Sequence, residues 1–188
     1  MTEFSFNIVC TSVGRESLGR LIKSFEKQLG NKDFFTIISD TNHEYVRNVL
    51  STFDLNFHVN HIINEGEQLG KYGHPLLNKH LNNLDGDFIL FADDDDYYVD
   101  DAFENIRKFV KDKKLYLFKH KWYGTINWTQ PDFTIGNVGK CMGVIPNIKE
   151  FPKFREDVFG DCYFYLDLSK IMEYEFVDKI IYKIRETE

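Results

Sequence analysis

The sequence predicts an α/β fold, one domain over residues 1–188 with a mixed, mainly parallel central sheet flanked by helices. Three observations predict it. Short apolar runs alternate with segments of helical spacing through the first half of the chain, the pattern of strand–helix–strand units. One run, Phe88-Ile89-Leu90-Phe91, is apolar without interruption, as in parallel strands buried on both faces. The 188 residues are 43% hydrophobic and 16% aromatic, enough for one sizeable core. No repeat, low-complexity stretch or Pro/Gly/Ser linker divides them.

Taken in order, Phe4 to Cys10 reads as the first strand and Thr11 to Arg15 as a polar turn containing Gly14. Glu16 to Leu29 carries Leu18, Leu21, Ile22 and Phe25 at the three-and-four spacing of a helix face. Phe34 to Ser39 is a second strand, ended by Asp40-Thr41-Asn42. His43 to Phe53 suits a second helix, and Asn56 to Ile63 a third strand. Gly66 to Gly73 reads as a loop and Pro75 to Leu84 as a helix with proline near its start. Asp87 to Phe91 is the buried strand, followed by a helix over Ala102 to Lys111 and a strand over Leu115 to Lys119. A less regular stretch with Trp122, Tyr123 and Trp128 leads to a helix over Asp161 to Met172. A final strand near Phe176 to Ile181 closes the chain.

Composition narrows the function. A net charge of -7 argues against nucleic-acid binding, which needs clustered Lys and Arg. No apolar run reaches the length of a transmembrane segment, and the N-terminus lacks the basic and apolar regions of a signal peptide. Cys10, Cys141 and Cys162 are odd in number and far apart, neither a disulfide framework nor a zinc pattern, so a reducing, cytoplasmic setting is expected.

Asp93, Asp94, Asp95 and Asp96 directly follow the buried strand, where ligands bind in open α/β sheets. Carboxylates about 5 Å apart repel by roughly 3 kcal/mol at an effective dielectric near 20. The run is either a solvated acidic turn or the seat of a divalent cation, and oxygen-only ligands suit Mg²⁺ or Mn²⁺. Leu84-Asp85-Gly86-Asp87-Phe88-Ile89-Leu90-Phe91-Ala92-Asp93-Asp94-Asp95-Asp96 closely resembles glycosyltransferase family 2 and its GT-A fold. That family carries a small-Gly-polar step, an apolar strand and an Asp-x-Asp motif followed by another Asp. The resemblance implies a nucleotide-sugar donor, a glycan or other hydroxyl acceptor, and inversion. It places Asp93 near the donor ribose with Asp94 on the same nucleotide side, and Asp95 on a metal bridging the diphosphate. Asp93 and Asp96 support the metal, or Asp96 the sugar.

The resemblance extends to both sides of this segment. Thr11-Ser12-Val13-Gly14-Arg15 lies where the family carries its first nucleotide-contacting loop, so Thr11 and Arg15 are candidate donor ligands. Asp40 matches an acidic position that accepts a hydrogen bond from a uracil-like base. A carboxylate accepts only, which suits the ring N–H of uracil or thymine and favours a UDP-type donor. Asp40 read alone is equally a turn or helix cap. The family's Asp-Asp-Gly-Ser run is here Ser39-Asp40-Thr41-Asn42. Lys71, in Gly70-Lys71-Tyr72-Gly73-His74, and Asn78 match a Gly-containing loop and an Asn before the acidic strand. Lys71 screens the diphosphate, or is a surface loop residue; Leu77 stands where the family has a basic residue.

Glu156, Asp157 and Asp161 precede the last helix. An inverting transfer needs a carboxylate to take the acceptor hydroxyl's proton. The stretch from Gly160 to Arg185 resembles the family's acidic pair, aromatic helix and terminal Tyr-x-x-Arg. In that alignment Asp161 is the base, Gly160 replaces the preceding Glu, and Asp157 or Glu156 takes the role in another register. Asp161 is also a natural helix cap. Cys162 lacks an evident His partner and is not expected to be a nucleophile. His120, Trp122 and Trp128 fall where an acceptor would lie, though large aromatics are more often core. Two other functions remain open. A nucleotidyltransferase should have a Gly-rich basic loop after the first strand, whereas Thr11 to Arg15 has one Gly and one Arg. A sugar-nucleotide- or carbohydrate-binding module would leave the base position without a role.

Overall fold

A computed structural model describes residues 4–123, 125–126 and 132–184. Among these residues nine strands form one sheet in the order β3-β2-β1-β4-β8-β6-β9-β5, with β7 attached to β6. They are β1 (Phe6–Ser12), β2 (Phe34–Ser39), β3 (His58–Ile63), β4 (Phe88–Asp93), β5 (Tyr97–Tyr98), β6 (Leu115–Trp122), β7 (Thr125–Ile126), β8 (Gly143–Pro146) and β9 (Tyr174–Ile184). The long ladders, β1·β2, β1·β4, β2·β3 and β6·β9, are parallel; the antiparallel ones join only two or three residue pairs each. This is the mixed, mainly parallel α/β sheet expected from the sequence. Helices α1 (Leu18–Phe25), α2 (His43–Leu50), α3 (His74–His80), α4 (Ala102–Phe109) and α5 (Gly160–Leu168) connect the strands.

Local chemistry explains the elements. Every residue of β1 is buried, with parallel neighbours on both edges, and β4 is buried from Phe88 to Ala92 between parallel β1 and antiparallel β8, side chains filling both faces. The apolar face of α1, Leu18, Leu21, Ile22 and Phe25, is wholly buried, and each such side chain contributes about 1.5–3 kcal/mol over an exposed one. Pro75 sits in the first turn of α3, where its missing N–H leaves no hydrogen bond unmade.

Differences from the sequence reading lie at the ends and in the second half. α1 stops at Phe25 and α5 at Leu168, short of Leu29 and Met172, while β6 runs on to Trp122 and β9 spans Tyr174–Ile184. The irregular stretch contains β8, which joins β4 to β6 by antiparallel pairing and ends at Pro146, where proline can terminate a ladder. Trp128 and Arg185 lie outside the described residues. Among those residues no helix is long and apolar enough to cross a membrane.

Candidate active site

The parallel ladders bring the carboxyl ends of β1, β2 and β4 level: Thr11 pairs with Asp93, Ser12 with Ser39, and Asp40 follows. The chain turns away at this edge and leaves a cavity of about 650 Å³. Thr11, Arg15, Asp40, Lys71, Asp93, Asp94, Asp95, Asp96 and Asp161 all line it. Asn78, Glu156 and Asp157 do not.

The four aspartates divide by direction. Asp94 is buried and points back at the first loop: it accepts from the Ser12 hydroxyl at 2.7 Å, the Val13 N–H at 3.2 Å and the Arg15 guanidinium at 2.6 Å. Its lone pairs are spent on shaping that loop. Asp93 accepts from the Lys140 ammonium at 2.5 Å, and Asp95 faces Arg15 at 3.2 Å. Asp96 is buried at the base of the cavity wall, and its charge helps to raise the Tyr182 and Cys141 pKa values behind the larger effect of burial. Asp93, Asp95 and Asp96 thus share the cavity wall, Asp93 turned to Lys140 and Asp95 to Arg15. Among the described residues no three His, Cys, Asp or Glu groups converge as a metal cage, since successive residues of a tight turn aim apart. Part of the carboxylate crowding is instead offset by Arg15 and Lys140. The remaining fit is a site of one carboxylate. Asp95 is partly exposed in the cavity wall and offers oxygen, and Mg²⁺ is commonly held by one or two carboxylates plus substrate phosphates.

Lys140, which precedes β8, is buried beneath the cavity. Its ammonium contacts Asp93 and, at 3.4 Å, the Tyr72 carbonyl, while its backbone N–H donates to Asp161 Oδ2 at 3.1 Å. Burial alone would favour the neutral amine, but Asp93 and Asp161 outweigh it and raise the pKa, so the group stays charged. Nothing in the sequence reading singled out this residue. The one available signal is a lone charge between Val138-Gly139 and Cys141-Met142-Gly143.

Asp40 is buried, with three donors on its carboxylate: Asn64 Nδ2 at 2.8 Å, the Leu69 N–H at 3.0 Å and the Gly70 N–H at 2.9 Å. An ionised carboxylate has about four acceptor sites, which leaves room for one more donor. The loop it anchors continues through Lys71 and Tyr72, both left-handed at φ 47° and 61°. Such a conformation costs a residue with a side chain roughly 1–2 kcal/mol. Gly73 follows at φ 75°, and a Cβ there would lie 2.1 Å from the Thr11 hydroxyl, so only glycine lets the loop close on β1.

Asp161 begins α5. His74 Nε2 lies 2.8 Å from its Oδ1, so the carboxylate is held from two sides while part of it stays exposed in the cavity wall. The other two candidate carboxylates lie off the cavity lining. Glu156 pairs with Lys71 at 2.5 Å, both exposed, and Asp157 caps the Phe159 N–H at 2.8 Å. Asn78 lies off the cavity lining, with both ends of its amide on the Phe154 backbone, at 2.9 and 2.8 Å. Tyr182, from the expected terminal motif, accepts the Asp93 N–H at 2.9 Å and so ties β9 to the acidic turn.

Trp122 lines the cavity with half its surface exposed, whereas His120 is buried. Cys141 Sγ lies 3.6 Å from His120 Nδ1, but burial raises the thiol pKa and lowers the imidazole to about 4, so the pair is neutral and unactivated. Cys162 is likewise held as a thiol, by burial first and then by Asp161, and donates to the Phe133 carbonyl at 3.1 Å. The His120 shift predicts an acid-sensitive fold. Its folded pKa lies below the ordinary 6.5, so its contribution is complete above about 6.5 and is lost as pH falls through 4. Denaturant titrations should show up to about 3 kcal/mol of this loss, and His120→Asn should remove it. An unchanged pH slope in the variant would contradict the assignment.

The fold and this edge of the sheet define an α/β protein with an acidic, cation-balanced cavity at the carboxyl ends of its parallel strands. The description Glycosyl transferase family 2 matches residues 7–156, and the chain belongs to that family. No curated protein matches the sequence. Among solved structures, S. aureus TarS 1-349 superposes with a TM-score of 0.74 at 17% identity, over 96% of this chain and 60% of that one. The complex of the same protein with UDP-GlcNAc gives 0.74 at 16% identity, over 98% and 59%. The mannosyltransferase PcManGT from Pyrobaculum calidifontis, in complex with GDP-Man and Mn²⁺, gives 0.69 at 11% identity, over 96% and 57%. The chain thus spans about 60% of the length of these structures, and the likeness establishes the GT-A fold.

Proposed function

We propose that this glycosyltransferase moves a sugar from a nucleoside-diphosphate donor to an acceptor hydroxyl with inversion, and that Asp161 is the general base. One observation carries the reading: a single cavity holds the acidic strand end and, across Lys140, a partly exposed carboxylate fixed on two sides. In the reaction the acceptor oxygen bonds to the anomeric carbon as its O–H proton passes to Asp161. The bond from that carbon to the diphosphate oxygen breaks, and its electron pair leaves with the nucleoside diphosphate. Thr11 and Arg15 bound the nucleotide side, Asp93 lies toward the ribose, and Lys71 leaves Glu156 to screen the diphosphate. Asp95, with Asp93 only if Lys140 gives way, would hold Mn²⁺ or Mg²⁺, which neutralises charge on the leaving diphosphate. The three free, buried thiols suit a reducing compartment, the basis for placing the protein in the cytoplasm.

Similar structures hold both uridine and guanosine donors, so Asp40 decides the base here. Its remaining acceptor site suits a ring N–H, and a hydrogen bond to a charged group contributes about 1.5–3 kcal/mol. Calorimetry with uridine, thymidine, guanosine and cytidine diphosphates should rank the first two tightest, by about tenfold or more over cytidine diphosphate. Tightest binding of guanosine diphosphate, whose base also has a ring N–H, would overturn the uridine preference, and tightest binding of cytidine diphosphate would remove Asp40 from base recognition.

A further inference from the structure

His74 is buried, directly follows the left-handed turn Gly70–Gly73, and opens α3. Its ring stacks on Phe154 at 5.0 Å and 15°, and Phe154 stacks in turn on Phe164 of α5 at 3.9 Å. Across the ring lies Gly160, where a Cβ would sit 2.7 Å from His74 Cε1 and 2.8 Å from Nδ1. A Cβ there would also lie 2.1 Å from the Arg155 carbonyl oxygen, so the backbone as well as the imidazole requires glycine before Asp161. An ionised carboxylate can only accept, so Nε2 is the nitrogen that carries the proton toward Asp161 Oδ1. Nδ1 is buried and has no hydrogen-bond partner among the described residues. A bare acceptor nitrogen there is tolerable, whereas a second N–H would be a buried donor left unpaired.

We propose that His74, as the neutral Nε2–H tautomer, is the positioning residue for Asp161. The inference rests on the reading of Asp161 as the base. The imidazole fixes one carboxylate oxygen and Lys140 N–H the other, which sets the rotamer that presents the free lone pairs to the acceptor. Because His74 is the next residue after the turn that Asp40 and Lys140 hold, the donor side of the cavity and the base are joined through one rigid ring. A misplacement of about 1 Å in such a group costs on the order of 100-fold in rate.

The test uses the intact chain with UDP-GlcNAc and Mn²⁺, water serving as acceptor, and reads release of UDP. His74→Phe keeps the ring stack and removes the donor, whereas His74→Gln keeps a donor at the Nε2 position. The phenylalanine variant should lose roughly 10- to 100-fold in kcat with KM for the donor unchanged, and the glutamine variant should recover most of it. Asp161→Asn is run in parallel. If that variant turns over normally, the base reading itself falls and takes the proposal with it. If it is inactive while His74→Phe keeps its kcat, or if both His74 variants fall equally, the positioning role alone is overturned. ¹⁵N NMR of the wild type needs neither donor nor variant. It should show His74 protonated at Nε2 and bare at Nδ1, and the reverse tautomer would overturn the proposal.

Discussion

Asp161→Asn is expected to lower donor turnover by two to four orders of magnitude, about 3–5 kcal/mol of barrier, while nucleoside-diphosphate affinity stays near wild type. The asparagine keeps the size of the side chain and one acceptor oxygen. It faces two donors, His74 Nε2–H and Lys140 N–H, so one of them loses its acceptor. The cost should be about 1–3 kcal/mol of stability, a fall of a few degrees in melting temperature for a chain of this size. A residue that only begins a helix would show the opposite balance, with lower stability and near-normal chemistry. Turnover and melting temperature measured together separate the roles. Near-normal turnover in Asp161→Asn, with collapse in Asp157→Asn, would move the base to Asp157.

The second large effect concerns Asp95. With Mn²⁺ present, Asp95→Asn should weaken calorimetric binding of uridine diphosphate by on the order of 100-fold. Removal of a full charge within about 4 Å of a cation changes the energy by several kcal/mol at an effective dielectric near 20. The fold should persist, because Asp95 is partly exposed and its side chain faces Arg15 and the cavity. A chelator should weaken wild-type binding and leave the variant largely unaffected. Equal affinity in the two proteins, or no effect of the chelator, would transfer charge balance on the diphosphate to Arg15 and Lys140, which already offset Asp94, Asp95 and Asp93.

What the sequence disclosed follows the range of the forces involved. Alternating strands and helices in the first half are written in local periodicity, so β1, α1, β2, α2 and β3 were legible to within a few residues. β8 was not: its four residues carry no period of their own, and its partners β4 and β6 lie far away in the chain. The acidic turn was legible because a charge run at the end of a buried strand is conspicuous, but the separate directions of Asp93 to Asp96 depend on backbone geometry. Asp161 was singled out by the family's register at the head of an aromatic helix. Its neighbours His74 and Lys140 come from segments 87 and 21 residues away, and no local pattern announces such meetings. Asn78 shows the converse, a motif position matched in sequence whose amide the fold has used to clamp Phe154.

The central claim is that this cavity binds a nucleotide sugar and turns it over. The most direct measurement offers the purified chain a panel of nucleotide sugars with Mn²⁺ and no added acceptor, and follows release of the nucleoside diphosphate over hours. Slow release from at least one uridine or thymidine sugar, abolished in Asp161→Asn, is the predicted result. Saturable nucleotide binding with no release from any donor would mark a binding module. Formation of a nucleotide sugar from a sugar phosphate and a nucleoside triphosphate, with pyrophosphate released, would mark a nucleotidyltransferase. Either outcome contradicts the account.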